Sequence, residues 1–119
     1  MTTVADTVNR YVALLGSGTA DELAALYTPD ATVEDPVGSD VRRGRAAIRE
    51  LYSRIEKQVR TVELLSVHII GNEAAFLARL TIVNGDVRTS IDGIDVMTFD
   101  DEARIMSMRA FWSAPATED

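Results

Sequence analysis

The sequence predicts an α+β domain in which three N-terminal helices cover one face of a curved antiparallel meander. Three observations predict it. Up to about residue 59, apolar residues recur at helical spacing. After residue 60 they alternate with polar ones, the period of half-buried strands. The alternating segments are joined by short connectors rich in Gly, Asn and Asp. With 119 residues, 46% of them apolar, the chain is long enough for one domain with its own core, so residues 1–119 are read as a single unit.

Val4, Val8, Tyr11, Val12 and Leu15 define a first helix from about residue 3 to Leu15, ended by Gly16-Ser17-Gly18. Thr19 and Glu22 form a capping box that opens a second helix carrying Leu23, Leu26 and Tyr27, with Pro29 closing it. A short strand over Ala31 to Glu34 leads into the turn Glu34-Asp35-Pro36. Gly44 to Val59 reads as a third helix, with Ala47, Ile48, Leu51, Tyr52, Ile55 and Val59 on its buried side. Four strands follow at roughly 61–70, 74–83, 87–99 and 103–113. Among their connectors Asn84-Gly85 is the strongest hairpin signal, because both residues tolerate positive φ.

Composition excludes several classes of function. There is no cysteine, hence no disulfide framework and no thiol nucleophile, which suits a cytoplasmic protein. The N-terminus lacks the pattern of a signal peptide, and no apolar run approaches the ~18 residues of a membrane span. A net charge of −7 disfavours nucleic acid as a partner. With one histidine and no cysteine, no metal-ligand spacing is visible, so no metal is expected. The serines have no nucleophile elbow, and Arg42, Arg43 and Arg45 read as solvated.

The chemistry resides in polar residues on apolar faces. In the strand 87–99, Asp95 falls on the side of Ile91, Met97 and Phe99, where desolvation should raise its pKa until it keeps its proton. A register slip of one residue would instead put it in solvent. Tyr11 lies on the apolar stripe of the first helix, either as a core tyrosine or as an inward donor, and Tyr27 and Tyr52 face inward in the same way. Met106, Met108, Ala110 and Trp112 share one face of the last strand, a plain core or a pocket wall. Pro36 keeps Asp35 extended between Val33 and Val37, so Asp35 is either a surface-turn residue or a base held over an apolar mouth. Glu34, pointing the other way, reads as surface. His68 reads as a structural or interface residue.

The run Arg10 to Leu15 (RYVALL), the segment ATVEDPVGS (31–39), the pattern R-G-x-A-A-I-R-E-x-Y ending at Tyr52, NEAAF (72–76), Ile94-Asp95 and MRA (108–110) together resemble bacterial Δ5-3-ketosteroid isomerases. The match runs in order over most of the chain. It implies the conical sheet of the nuclear-transport-factor-2-like, or cystatin-like, fold, a homodimer, no cofactor and a small steroid substrate. Carried over residue by residue, it implies that Asp35 is the base and that Tyr11 and protonated Asp95 form an oxyanion hole. Tyr27 and Tyr52 would buttress that hole, and Met97, Met108 and Trp112 would line the substrate pocket. A carboxylic acid kept neutral so that it can donate is an established device of these isomerases, so the role implied for Asp95 is the family's own. The chain departs from the pattern at Gly93, where proline is frequent, and at Ala78, which is smaller than expected.

Rival readings share the fold. A polyketide cyclase would also act as a base on an activated carbon. An epoxide hydrolase should carry an inward aspartate–arginine–aspartate set, whereas Arg79 is expected to face away from the cavity. A non-catalytic carrier of lipophilic molecules would leave Asp35 without a purpose.

Overall fold

In the computed structural model, which describes residues 1–113, helix α1 spans Val4–Ser17 and buries Val8, Tyr11 and Leu14. A capping box of Thr3 and Asp6 starts it, and the Gly18 N–H donates to the Leu14 carbonyl at its end. The predicted box of Thr19 and Glu22 opens α2, with reciprocal bonds of 3.1 and 3.0 Å. That helix spans only Ala20–Ala24 and stops short of Tyr27, which starts strand β1 (Tyr27–Glu34). Two contacts take the chain out of the helix. The Ile105 N–H donates to the Leu26 carbonyl at 2.9 Å, and Arg45 Nε donates to the Tyr27 carbonyl at 2.8 Å. Pro29 falls where the strand's pairing is interrupted, so its missing N–H breaks no ladder bond.

A two-residue strand, β2 (Arg42–Arg43), pairs with Thr32 and Val33 of β1. Helix α3 spans Arg45–Ser53 and does not reach Val59. Residues beyond it turn into β3 (Val59–Ile70), and Val59, expected on the buried side, is 68% exposed. Strands β4 (Glu73–Asn84), β5 (Val87–Phe99) and β6 (Ile105–Phe111) complete one sheet in the order β2-β1-β6-β5-β4-β3. Strands β3 to β6 form the expected antiparallel meander. Strand β1 adds to it beside β6 in parallel, which local patterning does not specify. The β4–β5 hairpin turns at Gly85, with φ +64.

The face of the sheet toward the helices carries Phe76, Met97 and Met108, all essentially inaccessible. Two irregularities re-aim side chains. The β5–β6 register shifts so that Ile105 is buried and Met106, expected on the inner face, is 45% exposed. A second shift at Leu65 leaves His68 opposite Ala75, exposed on the outer face.

Arg60 ties the helices to the sheet. Its guanidinium is buried and donates to the carbonyls of Leu15 (2.6 Å), Ile55 (2.9 Å), Glu56 (3.1 Å), Gln58 (3.2 Å) and Gly18 (2.9 Å). These groups belong to the end of α1 and the turn after α3, so one side chain satisfies carbonyls that neither helix can. Arg60→Met should therefore cost ~2–4 kcal/mol by orphaning them, read as a lower urea midpoint at unchanged slope.

Candidate active site

A cavity of about 400 Å³ opens between the helices and the inner face of the sheet. Its wall is largely apolar, supplied by Leu15, Leu51, Ile55, Val62, Leu80 and Ile91 among others. Tyr11, Tyr52, Asp35, Asp95 and Trp112 also face it, so five of the eight residues singled out from the sequence meet in one space. Tyr27, Met97 and Met108 do not line the cavity. They are fully buried in the core behind it: Met97 and Met108 share a row with Ala74, one step along the inner face from the row of Phe76, Asp95 and Ala110. Tyr27 still acts on the wall through its hydroxyl.

The three tyrosines form a chain. The Tyr27 and Tyr52 hydroxyls are 2.6 Å apart and those of Tyr52 and Tyr11 are 3.2 Å apart. Tyr11 also packs edge-on against Phe76, with centroids 6.0 Å apart. Burial pushes the Tyr11 phenol far above its ordinary range, and the nearby Asp95 carboxylate adds to this. Tyr11 is thus a donor that stays protonated.

Asp95 sits on β5 opposite Phe76 and Ala110. Desolvation first, and then the charge of Asp35, raises its pKa to about 7. It lines the cavity, and among the described residues its carboxyl has no hydrogen-bond partner. Both oxygens are therefore available to a ligand.

Asp35 directly follows the end of β1 at Glu34 and is joined to Pro36 by a cis peptide bond. The Val37 N–H donates to the Ala110 carbonyl at 2.8 Å, anchoring the turn on β6. Trp112 Nε1–H donates to Asp35 Oδ1 at 2.5 Å. Burial raises the Asp35 pKa, while the Trp112 bond and the Arg42 charge draw it back. These opposing effects suit a carboxylate that must be ionised yet basic.

Sequence reasoning missed three contributors. Glu34 is not ordinary surface: it accepts from Arg109 Nε (3.0 Å) and the Gly38 N–H (3.0 Å), bracing the turn from outside. Arg42 pairs with Glu50 and lies near Asp35, so it is engaged and not merely solvated. Gly93 gives Trp112 room, since a Cβ there would meet Trp112 Cβ at 3.3 Å. An alternating pattern signals none of these: Glu34–Arg109 and Gly93–Trp112 join segments distant in sequence, and Arg42 finds its partner on helix α3. Arg79 faces outward, bound to Asp92 at 2.7 Å, as its alternation predicts.

This geometry defines a cone-shaped α+β domain whose apolar pocket holds two unlike carboxyls and a buried phenol. The pattern of the SnoaL-like domain matches residues 8–108, and the chain belongs to that family. It is 48% identical over 106 residues to a steroid Δ-isomerase of Nocardioides simplex, covering 89% of this chain and 86% of that one. Among solved structures it is similar to SalBIII, described as an epoxide hydrolase/cyclase-like enzyme acting in pyran ring formation in the polyether salinomycin. The TM-score is 0.84 with 33% identity, over 92% of this chain and 90% of the other.

Proposed function

We propose that the protein is a steroid Δ-isomerase that moves the double bond of a Δ5-3-ketosteroid into conjugation with its ketone. One observation carries the reading: two carboxyls in unlike settings, Asp35 bound by the Trp112 indole and Asp95 without a partner and raised to about 7, share one apolar cavity with Tyr11. The similarity to the Nocardioides simplex enzyme supports the substrate class.

The carbon between the ketone and the double bond carries a weakly acidic proton. Asp35 removes it, and the charge develops on the former carbonyl oxygen of a dienolate. Tyr11 and neutral Asp95 donate to that oxygen where little water competes. Tyr52 and Tyr27 extend the donor chain behind Tyr11. Protonated Asp35 then returns the proton two carbons along, and the product is the conjugated enone. Trp112 keeps Asp35 aimed through the cycle. No metal or cofactor has a part in it.

Mixing the protein with 5-androstene-3,17-dione should produce the enone's ultraviolet absorbance. Binding without that absorbance would refute the isomerase. The likeness to SalBIII favours a cyclisation as the second reading, since it needs the same kind of base. An epoxide hydrolase set is disfavoured: Arg79 is bound to Asp92 on the outer face, and the charge acting on Asp95 is that of Asp35.

The functional unit is a homodimer in this reading. Ser66, Leu77, Ile94 and Phe111 form one row across the outer face, with Ile94 46% and Phe111 43% exposed. Light scattering should return twice the chain mass, and Ile94→Asp should return the monomer.

A further inference from the structure

The two ends of the cavity differ in charge. Asp35 and Asp95 occupy one end, and Arg54 is the one cation on the wall among the described residues. Between them the lining is apolar. Arg54 precedes Ile55, whose carbonyl is held by Arg60 at the start of β3. Two residues further on, Val62 lies level with Leu80 and Ile91. Ile91 stands four residues from Asp95 along β5, about 13 Å at the rise of a strand. The span accommodates four fused rings with a short substituent.

Arg54 is not fully neutralised. Its Nη2 lies 3.0 Å from Glu50, but Glu50 also binds Arg42, so two guanidiniums share one carboxylate. The Arg54 and Glu50 side chains are 62% and 53% exposed, and a pair that open is held weakly and readily exchanged. The chain's net charge of −7 repels anions in general, so an anionic ligand needs a local cation of this kind.

We propose that Arg54 selects steroids carrying a carboxylate at the end remote from the ketone. The ring system would fill the apolar span, the ketone would meet Tyr11 and Asp95, and the carboxylate would take the guanidinium's free donors. A neutral steroid would leave Arg54 on Glu50. The inference rests on the steroid reading above and narrows its substrate class.

The test compares KM for 3-oxo-androst-5-ene-17-carboxylic acid with KM for 5-androstene-3,17-dione. The acid-to-dione ratio should rise about fivefold in Arg54→Met, the size expected for one exposed charge pair. It should change little in Arg54→Lys and fall in Glu50→Gln, which releases Arg54 from its competitor. In the wild type, added salt should erode the preference. An unchanged ratio in Arg54→Met overturns the proposal. If that variant fails to fold, an unchanged ratio in Glu50→Gln does so. If the wild type isomerises neither steroid, the isomerase reading fails. The selectivity is then read from the dissociation constants of two phenolic steroids, with and without the carboxylate, and the same ratio decides it.

Discussion

Asp35→Asn is expected to lower kcat for 5-androstene-3,17-dione on the order of 10³- to 10⁴-fold, with a phenolic steroid bound as tightly as before or more tightly. Asparagine keeps the size of the side chain and can still meet Trp112, so the turn anchored by Val37 and Glu34 should hold. What is lost is the group proposed to take the proton from carbon. Binding should not weaken, because the donors proposed for the oxygen, Tyr11 and Asp95, are untouched. Removing the Asp35 charge also relieves the repulsion that a bound oxyanion would feel. Stopped-flow absorbance and fluorescence titration on one preparation separate the two effects. Near-normal turnover would remove Asp35 from the reaction.

Asp95 should govern the alkaline side of the pH profile. Its pKa of about 7 lies above the ordinary value of 3.8, so the free enzyme loses its second donor as pH rises through 7. kcat/KM should fall there. Asp95→Ala should lose on the order of 10²–10³-fold in kcat, the usual cost of one oxyanion donor. Asp95→Asn retains an N–H, so it should lose less and should have no alkaline limb in this range.

The sign for stability follows from proton linkage. A carboxyl whose pKa is raised by folding binds more protons folded than unfolded between pH 3.8 and 7. The unfolding free energy therefore drops as pH rises through that window. Asp95→Asn should be more stable than the wild type by ~2–4 kcal/mol above pH 7, with the difference vanishing below pH 4. Urea midpoints at pH 4 and pH 8 test this without a substrate. Equal differences at the two pH values would show that Asp95 is not desolvated in the folded protein.

Much of the arrangement is legible in the sequence where a regular period carries it. The alternation from Val87 to Phe99 assigns Asp95 to the inner face, and the structure has that strand at those bounds. The capping box of Thr19 and Glu22 and the turn at Gly85 depend on neighbours only, and both are present. Features set by distant partners escaped. Met106 is turned outward by an irregularity in its pairing with β5, whereas alternation alone places it beside Met108. Val59 fits the helical period of residues 44–59, but it pairs with Val83 instead. Tyr27 reads as helical because nothing local reveals that Ile105 pairs with it. Tyr27, Met97 and Met108 read as pocket residues because an inward direction does not say whether another layer stands in front.

The parallel pairing of β1 with β6 also orders events in time. Asp35 leaves the ribosome early, but the indole that aims it lies 77 residues later, and its turn is anchored on Ala110. Contacts of such long separation form late, because the intervening chain must first be closed. A nascent chain or folding intermediate with its helices and first hairpins in place would hold Tyr11, Tyr52 and Asp95 near one another while its base swings free. Under the proposed mechanism, such a species would bind a steroid before it could convert one. Turnover in a refolding mixture would then report the docking of the final strand, and the lag between ligand binding and product formation would time that step.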